Sequence, residues 1–144
     1  MAITSPRPDD LAWHPLSTER LRLAVPADHR IAGRAEVDLA EVAAEPFIVM
    51  RHGYGLRSIT EGLFRAAGVR PEIAFEGEEA TTLRGLVAAG LGVAVVPPGD
   101  SVAGAEEVVI AGARRTIGLA WVADRTRTPA VEDFRRFVIR HSAP

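Results

Sequence analysis

The stretch Leu86-Val87-Ala88-Ala89-Gly90-Leu91-Gly92-Val93-Ala94-Val95-Val96-Pro97 constrains the fold more than any other part of the chain. A helix starting near Glu79 buries Leu83, Leu86 and Val87 and ends at Gly90. Gly92 to Val96 then follows as a strand without a polar residue. Because apolar and polar residues do not alternate there, neither face of that strand is expected to meet water, and the run is expected mid-sheet.

Shorter signals fill in the rest. Leu21-Arg22-Leu23-Ala24-Val25 alternates until Pro26 and reads as a strand, preceded by an extended piece from Leu11 to Leu16, so two strands are expected before the first helix. Asp38-Leu39-Ala40-Glu41 has the spacing of a capping box, predicting a short helix to about Ala44 that Pro46 stops. A strand Phe47 to Met50 leads through Arg51-His52-Gly53-Tyr54-Gly55 into a helix with Leu56, Ile59, Leu63 and Ala67 on one face and Gly68 as its left-handed cap. Pro71 opens a strand Glu72 to Glu76. After Pro97-Pro98-Gly99 come a loop, strands Glu107 to Ile110 and Ile117 to Val122, and a helix from Pro129 with Val131, Phe134, Phe137 and Val138 on one side. Alternating strands and helices predict right-handed crossovers and a largely parallel sheet covered on both faces, an α/β sandwich.

Composition narrows the functions. With 144 residues and 47% hydrophobic content, the chain can bury the core of one compact domain or two small lobes. All 17 basic residues are Arg, set against 19 acidic ones for a net charge of -2, so no overall cationic surface is offered to nucleic acid. The absence of Cys excludes disulfides, thiolate metal sites and a cysteine nucleophile, and suits a reducing cytoplasm. The first ten residues lack an apolar signal core, and the apolar stretch Leu86 to Pro98, interrupted by glycine, falls short of the ~20 residues that span a bilayer, so a soluble, non-exported chain is expected.

One segment carries chemistry. Gly53-Tyr54-Gly55-Leu56-Arg57-Ser58 sits between a strand and a helix, where unpaired amides and the helix dipole attract a carboxylate or phosphate. Arg51 and Arg57 add donors and Ser58 a hydroxyl. The plainer reading, that its glycines only permit a tight turn, stays open. A rival reading is a dinucleotide fingerprint with Glu76 at the ribose, although Ser58 stands where a third glycine belongs. Gly90-Leu91-Gly92 follows a helix and opens a strand, the reverse of a phosphate loop, and reads as a cap and turn. His14, His29, His52 and His141 lack metal-ligand spacing and are expected at the surface or hydrogen-bonded. Glu76, Glu78 and Glu79 read as a solvated helix entrance, and Arg135, Arg136 and Arg140 as the polar face of the last helix. No nucleophile elbow, catalytic residue, metal site or cofactor is expected.

Taken in order, a set of segments resembles the effector-binding domain of LysR-type transcriptional regulators over nearly the whole chain. They are Ala2-Ile3-Thr4, Leu21-Arg22-Leu23-Ala24-Val25-Pro26-Ala27-Asp28-His29, Val37-Asp38-Leu39-Ala40, Glu45-Pro46-Phe47-Ile48, Gly53-Tyr54-Gly55-Leu56-Arg57, Ala67-Gly68 and the Leu86 to Pro97 run. The resemblance implies the type II periplasmic-binding-protein fold of two α/β lobes, here one complete lobe plus part of a second. Residues 1–12 would be a remnant of the first regulatory lobe, 13–122 the second lobe with its crossover strands, and 123–144 a C-terminal helix returning to the first. It implies a small-molecule, anionic effector contacted by Thr4, Gly53, Tyr54, Gly55, Arg57 and Ser58, with Tyr54 as an aromatic wall and further contacts near Glu78 and Pro97.

The resemblance also implies DNA binding only through an N-terminal domain outside this chain, and a homodimer or tetramer in the full-length regulator. Most of the first lobe would be missing, and with it half the pocket and a helix used in the family's dimer. The family's His-Pro-Leu is His29-Arg30-Ile31 here, a change expected in a surface loop. The alternatives are a solute-binding protein or nucleotide-binding enzyme module of the same fold, or an inert truncated product.

Overall fold

The computed structural model describes residues 1–142. They fall into two units, Arg20–Arg114 and, separately, Met1–Glu19 together with the chain from Arg115 onward. The long strands β2 (Ala12–Pro26) and β7 (Ala105–Trp121) pass through both.

In the Arg20–Arg114 unit, β2 buries Leu21, Leu23, Ala24 and Val25 completely. Each Leu or Val removed from water is worth roughly 1.5–3 kcal/mol. Asp38 accepts from Ala40 N while Glu41 accepts from Asp38 N, so the expected capping box forms. The turn it starts is a short 3₁₀ helix, Leu39–Val42, with Leu39 and Val42 buried. β3 (Glu36–Val37) pairs in parallel with β7, and β4 (Pro46–Met50) pairs in parallel with β5 (Glu72–Gly77). The crossover between β4 and β5 is α1 (Gly55–Ala67), closed by Gly68 at φ 67°. Leu56 and Phe64 bury their side chains from α1, and Phe64 meets Phe47 edge-on at 4.8 Å. α2 (Ala80–Ala88) buries Leu83 and Val87.

The Gly92–Val96 run has a neighbour on either side, but they belong to different sheets. β6 (Ala94–Val96) lies antiparallel to β2, with Leu23 opposite Val95, and ends that sheet. One residue earlier, Val93 bridges to β4, accepting from Ile48 N at 2.8 Å and donating to Pro46 O at 2.9 Å. The mid-sheet expectation is therefore corrected to a switch between two sheets, which accounts for burial of the whole run. Gly92 makes it possible: it has φ +152°, and a Cβ there would stand 2.4 Å from Pro46 O.

Three further expectations change. The two strands expected before the first helix are one, because Ser17-Thr18-Glu19-Arg20 stays extended through cross-strand pairs such as Thr18 with Thr116 at 2.9 Å and Glu19 with Arg115. Likewise the strands expected at Glu107 to Ile110 and Ile117 to Val122 are one, β7, which stops at Trp121 and holds Gly112 at φ 68° inside it. The larger sheet is mixed rather than largely parallel, since β6 on β2 and β1 (Ala2–Thr4) on β7 are antiparallel, while the two-stranded β4–β5 sheet is parallel. Long strands returning beside each other replace crossovers there.

In the other unit, Ala2 pairs with Ala120 and Thr4 with Gly118, and the Trp13 indole fills the space above Gly118. α3 (Pro129–His141) sets Arg135 over the Trp121 ring at 5.0 Å. The apolar side expected on this helix is open among the described residues, with Phe134 and Phe137 at 53% and 54% exposure. The last two positions of the expected 123–144 segment lie outside the described residues.

Candidate functional site

The turn after β4 takes its shape from glycine. Gly53 adopts φ 94°, and Tyr54 is the extended N-cap residue of α1 with no side-chain hydrogen bond capping the helix. The first amides of a helix have no partner within it, so Gly55 and Leu56 present N–H groups at the positive end of the dipole. Gly53, Tyr54 and Ser58 are exposed and Gly55 is half-buried. Five of the six candidate residues, Gly53, Tyr54, Gly55, Arg57 and Ser58, thus share one turn. Thr4 lies in the other unit, at the end of β1, with its hydroxyl 3.5 Å from Pro6 O.

Arg57 differs from the open cation the motif suggests. It is 8% exposed, and its donors are engaged: Nη1 donates to Met50 O at 2.9 Å and to Glu76 Oε2 at 3.1 Å, and Nε to Glu61 Oε1 at 2.7 Å. Its Nη2 lies 3.1 Å from His52 Nε2. One guanidinium therefore ties the ends of β4 and β5 to the first turns of α1. The Arg57 hydrogen bond holds the Glu61 carboxyl below the usual carboxylate range, with the charges of Arg57, His52 and Arg65 adding to it against burial. Glu76, the acid a dinucleotide fingerprint would give to a ribose, is taken by Arg57 instead. Arg51 pairs with Glu78 at the surface, and its amide donates to Gly77 O at 2.9 Å.

The Arg57–Glu61 pair was legible as an i, i+4 spacing, whereas Met50 O and Glu76 as its partners left no mark in the sequence. Sequence reasoning also missed Arg84. Its side chain is 4% exposed, with Nε donating to Glu107 Oε1 at 2.6 Å. Gly90-Leu91-Gly92 is a cap and turn, as expected, with Gly90 at φ 79° after α2. His29 faces Glu45 at 3.1 Å and His141 faces Phe137 O at 2.8 Å. No group of three or more metal-ligating side chains occurs among the described residues, and no helix of the described residues is long and apolar enough to cross a membrane.

This mixed α/β fold is periplasmic-binding-protein-like, and the solved structures similar to it are effector-binding or regulatory domains. The effector binding domain of QuiR in complex with shikimate superposes with a TM-score of 0.89 at 27% identity, covering 97% of this chain and 70% of that one. The regulatory domain of CcmR from Synechocystis PCC6803, in complex with 2-PG, shares the fold with a TM-score of 0.83 at 21% identity, covering 97% of this chain and 72% of that one. The chain belongs to the LysR substrate binding domain family, whose model matches residues 1–143.

Curated relatives are transcriptional regulators. The uncharacterized HTH-type transcriptional regulator YybE of Bacillus subtilis is 40% identical over 96% of this chain and 49% of its own length. The transcriptional dual regulator GltC of the same species is 28% identical over 97% of this chain and 50% of its own length. The chain spans about half the length of these relatives.

Proposed function

We propose that this effector-binding domain recognises a small anionic metabolite at the Gly53–Ser58 turn and serves a LysR-type regulator that contacts DNA through a separate N-terminal domain. The observation that carries the reading is the N-terminus of α1, where Tyr54 occupies the cap position without capping, leaving amides that seek an acceptor. A carboxylate oxygen accepts from those amides, with the Ser58 hydroxyl beside it as a donor and the Tyr54 ring as a wall. Arg57 enters as the tie that shapes the turn, its charge felt from behind. Thr4 is proposed as a further contact by family resemblance. The QuiR and CcmR domains, in complex with shikimate and 2-PG respectively, support an acidic effector.

On this reading the chain makes and breaks no bond, works in the cytoplasm and acts within a homodimer or tetramer. Residues 1–12 and 123–144 belong to one regulatory lobe and 13–122 to the other. Differential scanning fluorimetry with shikimate, other small carboxylates, phosphate and a dinucleotide tests it, since a ligand that binds only the folded state raises the melting temperature. A carboxylate-dependent rise that Tyr54→Ala and Ser58→Ala reduce is expected. A rise with the dinucleotide and none with carboxylates would replace this reading with an enzyme module.

A further inference from the structure

Beneath the loop 97–104, the Arg20–Arg114 unit holds a cavity of about 280 Å³ lined by Arg22, Arg84, Gly99, Ser101, Ala105 and Glu107, among others. Its floor is Arg84, projecting from α2. Nε donates to Glu107 Oε1 at 2.6 Å and Nη2 to Pro97 O at 2.5 Å. A guanidinium carries more donors than these two contacts use, and the remaining ones, including both on Nη1, have no acceptor among the described residues. Gly99 crosses this edge closely: a Cβ there would lie 3.1 Å from Nη2 and 3.3 Å from Nη1. Glycine therefore keeps the rim of the cavity clear of a side chain.

The lining carries two arginines and two glutamates, unevenly placed. Glu107 spends Oε1 on Arg84 and lies 3.5 Å from Arg22 Nη1 through Oε2, so one carboxylate faces two guanidiniums. Glu106, also on the lining, is exposed and gives its charge to water. Arg22 is 42% exposed, with donors to spare, and Ser101, an exposed residue of the lining, adds a hydroxyl. A guanidinium edge with unused donors, walled partly by protein, holds an oxyanion better than open water does.

We infer that this cavity is a second small-molecule site, taking the carboxylate or phosphate group of a compact metabolite on the free edge of Arg84, with Arg22 and Ser101 as further donors. It shares no residue with the Gly53–Ser58 turn and stands whether or not that turn binds an effector. Arg84 is the anchor, held rigid by Glu107 and Pro97 so that little side-chain freedom is lost on binding.

Amide-resolved NMR of the 144-residue chain, titrated separately with sodium acetate and with inorganic phosphate, tests the site. Saturable shifts at Gly99, Ser101 and Glu107 are expected with at least one probe, and the probe that saturates says whether the group is a carboxylate or a phosphate. Because Arg84 is buried and its replacement endangers folding, the variants are Arg22→Gln, expected to bind about tenfold more weakly, and Ser101→Trp, expected to close the opening. Shifts confined to Gly53–Ser58, saturation with neither probe, or undiminished binding in Ser101→Trp would each overturn the inference.

Discussion

Arg57 and Glu76, nineteen positions apart in sequence, meet through Nη1 and Oε2 at 3.1 Å, and the same nitrogen donates to Met50 O at 2.9 Å. This contact fixes the start of α1 to the ends of both parallel strands. The candidate anion turn is held from behind by a residue that its motif would have placed in front. Arg57→Ala is expected to lower unfolding stability by about 2 kcal/mol, because it strands Met50 O and leaves two carboxylates unpaired. Urea denaturation checks this. Arg57→Lys should recover only part of the loss, since an ammonium lacks the fork that reaches several acceptors at once. Full recovery by Lys would show that charge alone suffices.

Gly92→Ala should be among the costlier single-methyl additions in this chain. Its φ of +152° and the 2.4 Å approach of a Cβ to Pro46 O leave backbone as the only thing that can yield. The hydrogen bonds between Val93 and β4 would be displaced, at a cost of about 2–3 kcal/mol. Chemical denaturation together with loss of amide-exchange protection at Ile48 would report it, and unchanged protection there would contradict it.

Acid should destabilise the chain in a defined window. The Glu41 carboxyl is held at about 2, first by its hydrogen bond from Arg34 and then by the Asp38 amide, against an ordinary value of 4.5. Glu132 is held at about 2 by hydrogen bonds from Arg135 and Arg127. Both folded-state values are depressed, so the stabilisation is present above about pH 4.5 and is lost as pH falls toward 2. Glu41 is exposed and Glu132 half-buried near the surface, so the effect should be modest and weakened by salt. Urea midpoints followed across that range should fall less steeply in Glu41→Gln and Glu132→Gln than in the parent chain.

Phe134→Ser with Phe137→Ser should reduce concentration-dependent association while leaving thermal stability nearly unchanged. Both rings are more than half exposed on α3, which buries no residue. Exposed aromatic pairs of this kind promote association, and exposed positions tolerate substitution within about 0.5 kcal/mol. Sedimentation velocity at several concentrations, beside a melting curve, decides the matter. A large drop in melting temperature would mean the rings support the fold.

Much of the chain was legible because local physics dictates it. The Asp38 cap, the apolar face of α1 with Gly68 behind it and the burial of the Val93 to Val96 run follow from spacing and from glycine's access to positive φ. The glycine turn at Gly53 was equally readable, since a strand and a helix flanked it. Only the tertiary structure decided partners distant in sequence. It made Val93 and Ala94 pair with different sheets, joined Glu19 to Arg115 so that two expected strands became one, and gave Arg57 to Glu76 and Arg84 to Glu107. A side chain's type announces that it needs a partner, but which partner it finds depends on how separate segments are brought together, and periodicity along the chain carries no record of that.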